Sequence, residues 1–186
     1  MNDDAVVVEV LRAMPGGPAH VESRHAVRLV VSDADGRVLY ARGDVAAPVF
    51  PRSAIKLVQA LPLVETGAAA ALGLSDVELA LAAASHNGEA AHVEAARMML
   101  ARVGRDETCL ACGPQWPERE RDRGELHLAG RRPGRLHNNC SGKHAGFVCC
   151  AVHAGIDPTG YEAPDHPIQR AVASALADVT GADVAA

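Results

Sequence analysis

The sequence predicts an α/β protein of the α+β kind, an antiparallel sheet packed by helices. Three observations carry that expectation. Strand patterns crowd into the first 42 residues, helical and alanine-rich patterns fill most of the remaining chain, and apolar residues make up 48% of the 186 residues, enough for a core.

Val6 to Leu11 and His25 to Ser32 are β-branched runs that predict strands, and Asp35-Gly36 is a tight-turn pair leading into a third, Arg37 to Arg42. After Pro48 and Pro51 the pattern changes to Ile55, Leu57, Val58, Leu61 and Val64, apolar on most faces, which predicts a helix buried inside a domain with Pro51 tolerated at its first turn. Ser75, Asp76, Val77 and Glu78 form a capping box that starts a helix through Ala84, and Glu89 to Val103 predicts another. From Cys112 to Arg135 the prolines, glycines and crowded charges predict an irregular connection. His144 to His153 and Pro167 to Val179 return to helical pattern. Ala171 to Ala186 runs from a helix through a glycine turn to an apolar stub. Residues 1–186 are therefore expected to form a single, incomplete domain, truncated before the strands that would close its sheet.

Composition excludes several functions. No apolar run approaches the roughly 20 residues that span a bilayer, and the start MNDDAVVVEV has no basic flank or cleavage site, so no membrane role is expected and a cytoplasmic location is. Five cysteines without a regular framework fit reduced thiols or metal ligands better than structural disulfides. A formal charge of -5 and 3% aromatic residues argue against nucleic acid as a partner.

Of the 18 basic residues only Lys56 and Lys143 are lysine, all others being arginine. Arginine stays charged in a protein, whereas a buried lysine amine can release its proton, so these two positions are candidates for a titratable amine. Compositional bias alone is the plainer explanation. Ser53 and Lys56 lie three residues apart at the start of the expected buried helix, on one face. A serine becomes a nucleophile when a neighbour takes its proton, and a lysine serves when desolvation or nearby positive charge, here Arg52, lowers its pKa. The helix N-terminus would favour a substrate oxyanion. The alternative is a capping serine before an ordinary helix lysine.

Ser85, His86, Asn87 and Gly88 come directly after an alanine-rich helix, where Ser85 would relay protons or bind substrate, or simply end the helix. The run from His137 to His144 is the densest polar cluster. Asn138 and Asn139 are amides suited to a substrate carboxylate or carboxamide, and Cys140 near a helix start would have its thiolate favoured. Spacing nominates Cys140 with His144 as zinc ligands one turn apart. A polar turn and N-cap is the plainer reading. Cys109 and Cys112 form a CxxC with no second pair and are taken as structural, and Cys149 and Cys150 as buried small side chains.

Together PVFPRSAIKLVQALPLVE, LALAAASHNGE and LHNNCSGKHAGF resemble the thermolabile, rhizobial-type L-asparaginase II family, from about Val21 onward. The resemblance implies a fold similar to serine β-lactamases and glutaminases, and hydrolysis of L-asparagine to L-aspartate and ammonia. It implies Ser53, Lys56 and Ser85 as catalytic groups and a zinc bound by Cys140 and Lys143, which displaces His144 from the spacing argument. The third zinc ligand and the lysine partner of Ser85 are expected after Ala186, and Asn87 stands where a glycine is expected. Arg52, His86, Asn138 and Asn139 are the expected substrate-binding residues, and a homodimer the expected assembly. The competing functions are a β-lactamase or peptidase-like acyl transferase and a zinc-stabilised amide-binding module without turnover.

Overall fold

The computed structural model describes residues 6–182, and the expected apolar stub at the end lies outside them. The chain divides after Phe50 into two compact units.

The first unit is all β. β1 (Val6–Arg12) pairs antiparallel with β2 (His20–Val27), running from Val6 opposite Val27 to Arg12 opposite His20. β3 (Leu29–Ser32) pairs antiparallel with β4 (Val38–Arg42). The expected three-strand sheet is thus two separate two-stranded ribbons. The predicted strand His25–Ser32 splits at Arg28 because its halves pair with different partners. β2 also begins earlier than its apolar pattern suggested, since its polar first half is held by cross-strand pairs, Arg24 Nε to Glu9 Oε1 at 2.8 Å and Arg12 to Glu22. Asp33 closes the second hairpin: its Oδ1 accepts from the backbone N–H groups of Asp35 (3.1 Å) and Arg37 (2.8 Å), while Gly36 takes φ +81°. Val8, Val10, Val30 and Val31 stay exposed, so each ribbon presents apolar side chains on its surface.

The second unit is helical, and its centre is α7 (Ser141–His153), whose residues from Ala145 to Ala151 are all buried. A helix apolar on every side needs neighbours all round. They are α2 (Leu61–Glu65), α3 (Ala68–Ala71), α4 (Asp76–Ala82) and α5 (Ala90–Arg102), which bring Leu63, Ala68, Leu81, Ala96, Met99 and Leu100 into one core. α8 (Pro167–Thr180) adds Ile168 and Val172. The Ser75–Glu78 capping box is present, and Glu89 and Val103 cap the two ends of α5.

Three expectations are corrected. The helix expected after Pro51 is a 3-10 turn (Arg52–Ile55), a short α1 (Lys56–Gln59) and α2, broken at Ala60 because Pro62 has no N–H for the carbonyl four residues back. It is not buried on most faces either, since Leu57 and Val64 are exposed. The stretch 112–135 contains α6 (Glu120–Leu128), hidden in the sequence because only Asp122 and Leu126 of that helix are buried. α7 begins three residues before the predicted His144, so Lys143 is a helical residue.

Candidate active site

Lys56 sits at the start of α1 but turns inward and is only 3% exposed. Its Nζ lies 2.7 Å from Ser85 Oγ, 3.1 Å from Cys140 Sγ and 3.4 Å from the Ala84 carbonyl oxygen. Ala84 and Ser85 come after the end of α4, where carbonyls lack helical partners, and Cys140 is the N-cap of α7. Three neighbours suit either state of the amine: an ammonium donates to all three, and a neutral amine donates to two and accepts the Ser85 proton.

Ser53 lies in the exposed 3-10 turn, with its Oγ 3.5 Å from Ser85 Oγ. The two hydroxyls and the amine thus form a row, Ser53, Ser85, Lys56. The expectation that Ser53 and Lys56 meet directly is replaced by contact through Ser85, because the amine is drawn to the acceptors between α4 and α7. Arg52 has φ 53°, the left-handed backbone that a side chain disfavours and the only such non-glycine among the described residues. The expected oxyanion-stabilising helix start is reduced to a four-residue turn and a four-residue helix, too short for an appreciable dipole.

Two rungs bind the Ser85 segment to the Cys140 segment. The His86 backbone N–H donates to the Asn139 carbonyl (3.2 Å), and the His86 ring meets Ser141 Oγ through Nε2 (2.9 Å). Gly88 N–H donates to His86 Nδ1 (3.1 Å), so Nε2 carries the proton and donates to Ser141, whose hydroxyl passes on to the Leu136 carbonyl (2.8 Å). Burial, and after it the neighbouring His92, Lys56 and His137 side chains, pull the His86 pKa down to about 4. Both ring nitrogens of His86, an expected substrate contact, are hydrogen-bonded within the protein. Gly88 permits the approach, since a Cβ there would lie 2.6 Å from the His137 carbonyl oxygen.

Asn138 is likewise committed to the scaffold: its Oδ1 accepts from Cys140 N–H (2.9 Å) and its Nδ2 donates to the Gly113 carbonyl (2.8 Å). Asn139 binds through its backbone alone, and its side-chain amide makes no hydrogen bond to the described residues. Lys143 is half-buried, its Nζ 5.6 Å from the centre of the Phe147 ring, and burial together with Lys56 lowers its pKa despite Cys140. His144 takes another partner: the Tyr161 hydroxyl accepts from Ala111 N–H (2.8 Å) and is hydrogen-bonded to His144 Nδ1 (2.6 Å). Burial, then Lys143 and Lys56, pull the His144 pKa down to about 4. His144 is thus engaged through Nδ1 by Tyr161. Tyr161 gave no signal in the sequence, being far along the chain from both partners, and Ser141 lay unremarked within the polar cluster.

Cys149 and Cys150 are buried as expected, and burial pushes the Cys149 thiol up to about 12. All five cysteines are free thiols. Among the described residues no three His, Cys, Asp or Glu side chains gather as a metal site. Cys140 and Lys143 supply two donors, fewer than the three protein ligands of a catalytic zinc, so the described residues do not complete such a centre. A cavity of about 400 Å³ lies apart from the serine-lysine row, lined by Gly88, Pro117, Asp122, Leu126 and His137 among others. No described helix is long and apolar enough to cross a membrane.

The family described as L-asparaginase II matches residues 8–186. No curated protein matches the chain.

Proposed function

Because the chain belongs to the L-asparaginase II family, whose chemistry is amide hydrolysis of a small molecule, asparagine, we propose that Ser53 is its nucleophile and that Lys56 receives the Ser53 proton by way of Ser85. The observation that carries this reading is the buried Lys56 amine 2.7 Å from Ser85 Oγ, with Ser53 Oγ next in line. As the Ser53 hydroxyl loses its proton to Ser85 Oγ, the Ser85 proton moves to Lys56 Nζ and Ser53 Oγ attacks the side-chain carboxamide. Lys56 then returns the proton to Ser85, whose own proton goes to the leaving nitrogen as ammonia departs, and water hydrolyses the acyl-enzyme to L-aspartate. The 3.5 Å step between the hydroxyls is long for an O–H···O bond and would shorten around bound substrate. The exposed Arg52 guanidinium and the Asn139 amide, which makes no hydrogen bond to the described residues, would hold the substrate's polar ends.

Ammonia release from asparagine tests the assignment. Ser53→Ala is expected to abolish it with the fold intact, and Lys56→Arg to do the same, since a guanidinium accepts no proton. Ser85→Ala should lower kcat by about 10²–10⁴, the span of a general acid–base contribution. Full activity in Ser53→Ala beside an inert Ser85→Ala would transfer the nucleophile to Ser85.

Zinc belongs to the same proposal through Cys140 and Lys143, with no step of the reaction routed through it. Elemental analysis should find less bound zinc in Cys140→Ser than in the parent, and equal content would remove the metal. A β-lactamase-like fold, a homodimer and a cytoplasmic location complete the reading. The family match does not favour the acyl-transferase alternative.

A further inference from the structure

We infer that His86 is a positioning residue, a strut whose bond to Ser141 sets the span between Ser85 and Cys140 that the Lys56 amine bridges. The inference rests on the proposed serine-lysine reading. His86 comes directly after Ser85, and Ser141 directly after Cys140, so the His86–Ser141 bond at 2.9 Å is the rung next to the two contacts Lys56 makes, 2.7 Å to Ser85 and 3.1 Å to Cys140. Each end of the strut is fixed in turn. Gly88 N–H holds Nδ1, the Leu136 carbonyl takes the Ser141 proton, and Ser141 is fully buried while His86 is 6% exposed.

The ring reaches across where a shorter side chain would not, and it fills a site closed to water. Without the strut the Ser85 segment keeps its backbone bond to Asn139 but loses its side-chain tie to the start of α7. The amine would then lose its fixed place relative to the hydroxyl. A misplacement on the order of 1 Å in a reacting group costs about 10²-fold in rate.

Glutamine and asparagine separate this role from mere bulk. A glutamine amide places its N–H near the position of Nε2 and can still donate to Ser141. An asparagine amide reaches only the position of Nδ1. In the full chain, His86→Gln should retain kcat for ammonia release within about fivefold, and His86→Asn should lose about 10²-fold with KM within about twofold. Near-parental kcat in His86→Asn would overturn the strut, and so would an equal loss in both variants. Should His86→Asn fail to fold, Ser141→Ala takes its place: a similar kcat loss at unchanged KM supports the strut, and near-parental kcat overturns it. Lys56→Arg run alongside keeps the failures apart. If it remains active, the serine-lysine reading itself has fallen; if it is inert while His86→Asn works normally, only the strut has.

Discussion

Glu78 shows how one residue serves two structures. As the third residue of α4 it completes the capping box, its Oε2 accepting from Ser75 N–H (2.8 Å) and Ser75 Oγ (2.9 Å). The same carboxylate takes a forked pair from Arg102 on α5, Nε to Oε1 at 3.2 Å and Nη2 to Oε2 at 3.1 Å. Burial works against the charged form, but the Ser75 and Arg102 contacts outweigh it and hold the pKa below its ordinary value. The capping half of this arrangement was legible in the sequence, because its two residues, Ser75 and Glu78, lie three positions apart. The Arg102 half joins residues 24 apart and was not. Arg102→Ala leaves a buried carboxylate without its cation and should destabilise the protein by about 2 kcal/mol, Arg102 being partly exposed. Urea unfolding measures this, and a change under about 0.5 kcal/mol would show that Ser75 alone satisfies the charge.

At the scale of elements, the approach of α7 to α4 fixes the site. A Cβ on Gly142 would lie 2.4 Å from the Leu81 carbonyl oxygen, and one on Gly146 would lie 3.3 Å from the Ala82 side chain. Glycine is thus required on this face of α7, one residue from Lys143 and two from Cys140. Gly142→Ala should push the helices apart, costing about 2–4 kcal/mol and lowering kcat. A variant as stable and as active as the parent would mean that the contact is soft. The polar cluster containing Gly142 was visible in the sequence, but its glycine carried no sign of which helix it meets. The failed expectation of one long buried helix after Pro51 has a similar cause. Leu57 and Val64 supplied apolar character without burial, and only Lys56, Pro62 and Leu63 of that segment turn inward. Periodicity reports which residues are apolar, not which neighbours arrive to cover them.

For the whole molecule, the buried neutral His86 links stability to pH. Its pKa falls from 6.5 to about 4, so between those values the unfolded chain takes up a proton that the folded chain refuses. The His86 contribution is complete above about pH 6.5 and is lost as pH falls through about 4. The slope in that window is up to about 1.4 kcal/mol per pH unit for one ring. The neighbouring His92, Lys56 and His137 side chains push in the same direction. Urea midpoints from pH 7.5 to 4.5 should therefore fall more steeply for the parent than for His86→Gln, and parallel curves would contradict a buried neutral imidazole.

The sequence by itself determined the α/β class, the N-terminal cap of α4, the limits of α5, and the three clusters holding the reactive side chains, because each is written in residues a few positions apart. The three-dimensional packing decided which of them touch. Lys56 reaches Ser85 across 29 residues and Cys140 across 84, His144 goes to Tyr161, and His86 goes to the scaffold. Local spacing fixes only which side chains share a turn. The partner of a buried polar group is whichever donor or acceptor the packed helices bring within about 3 Å, since burial without one costs more than any local preference.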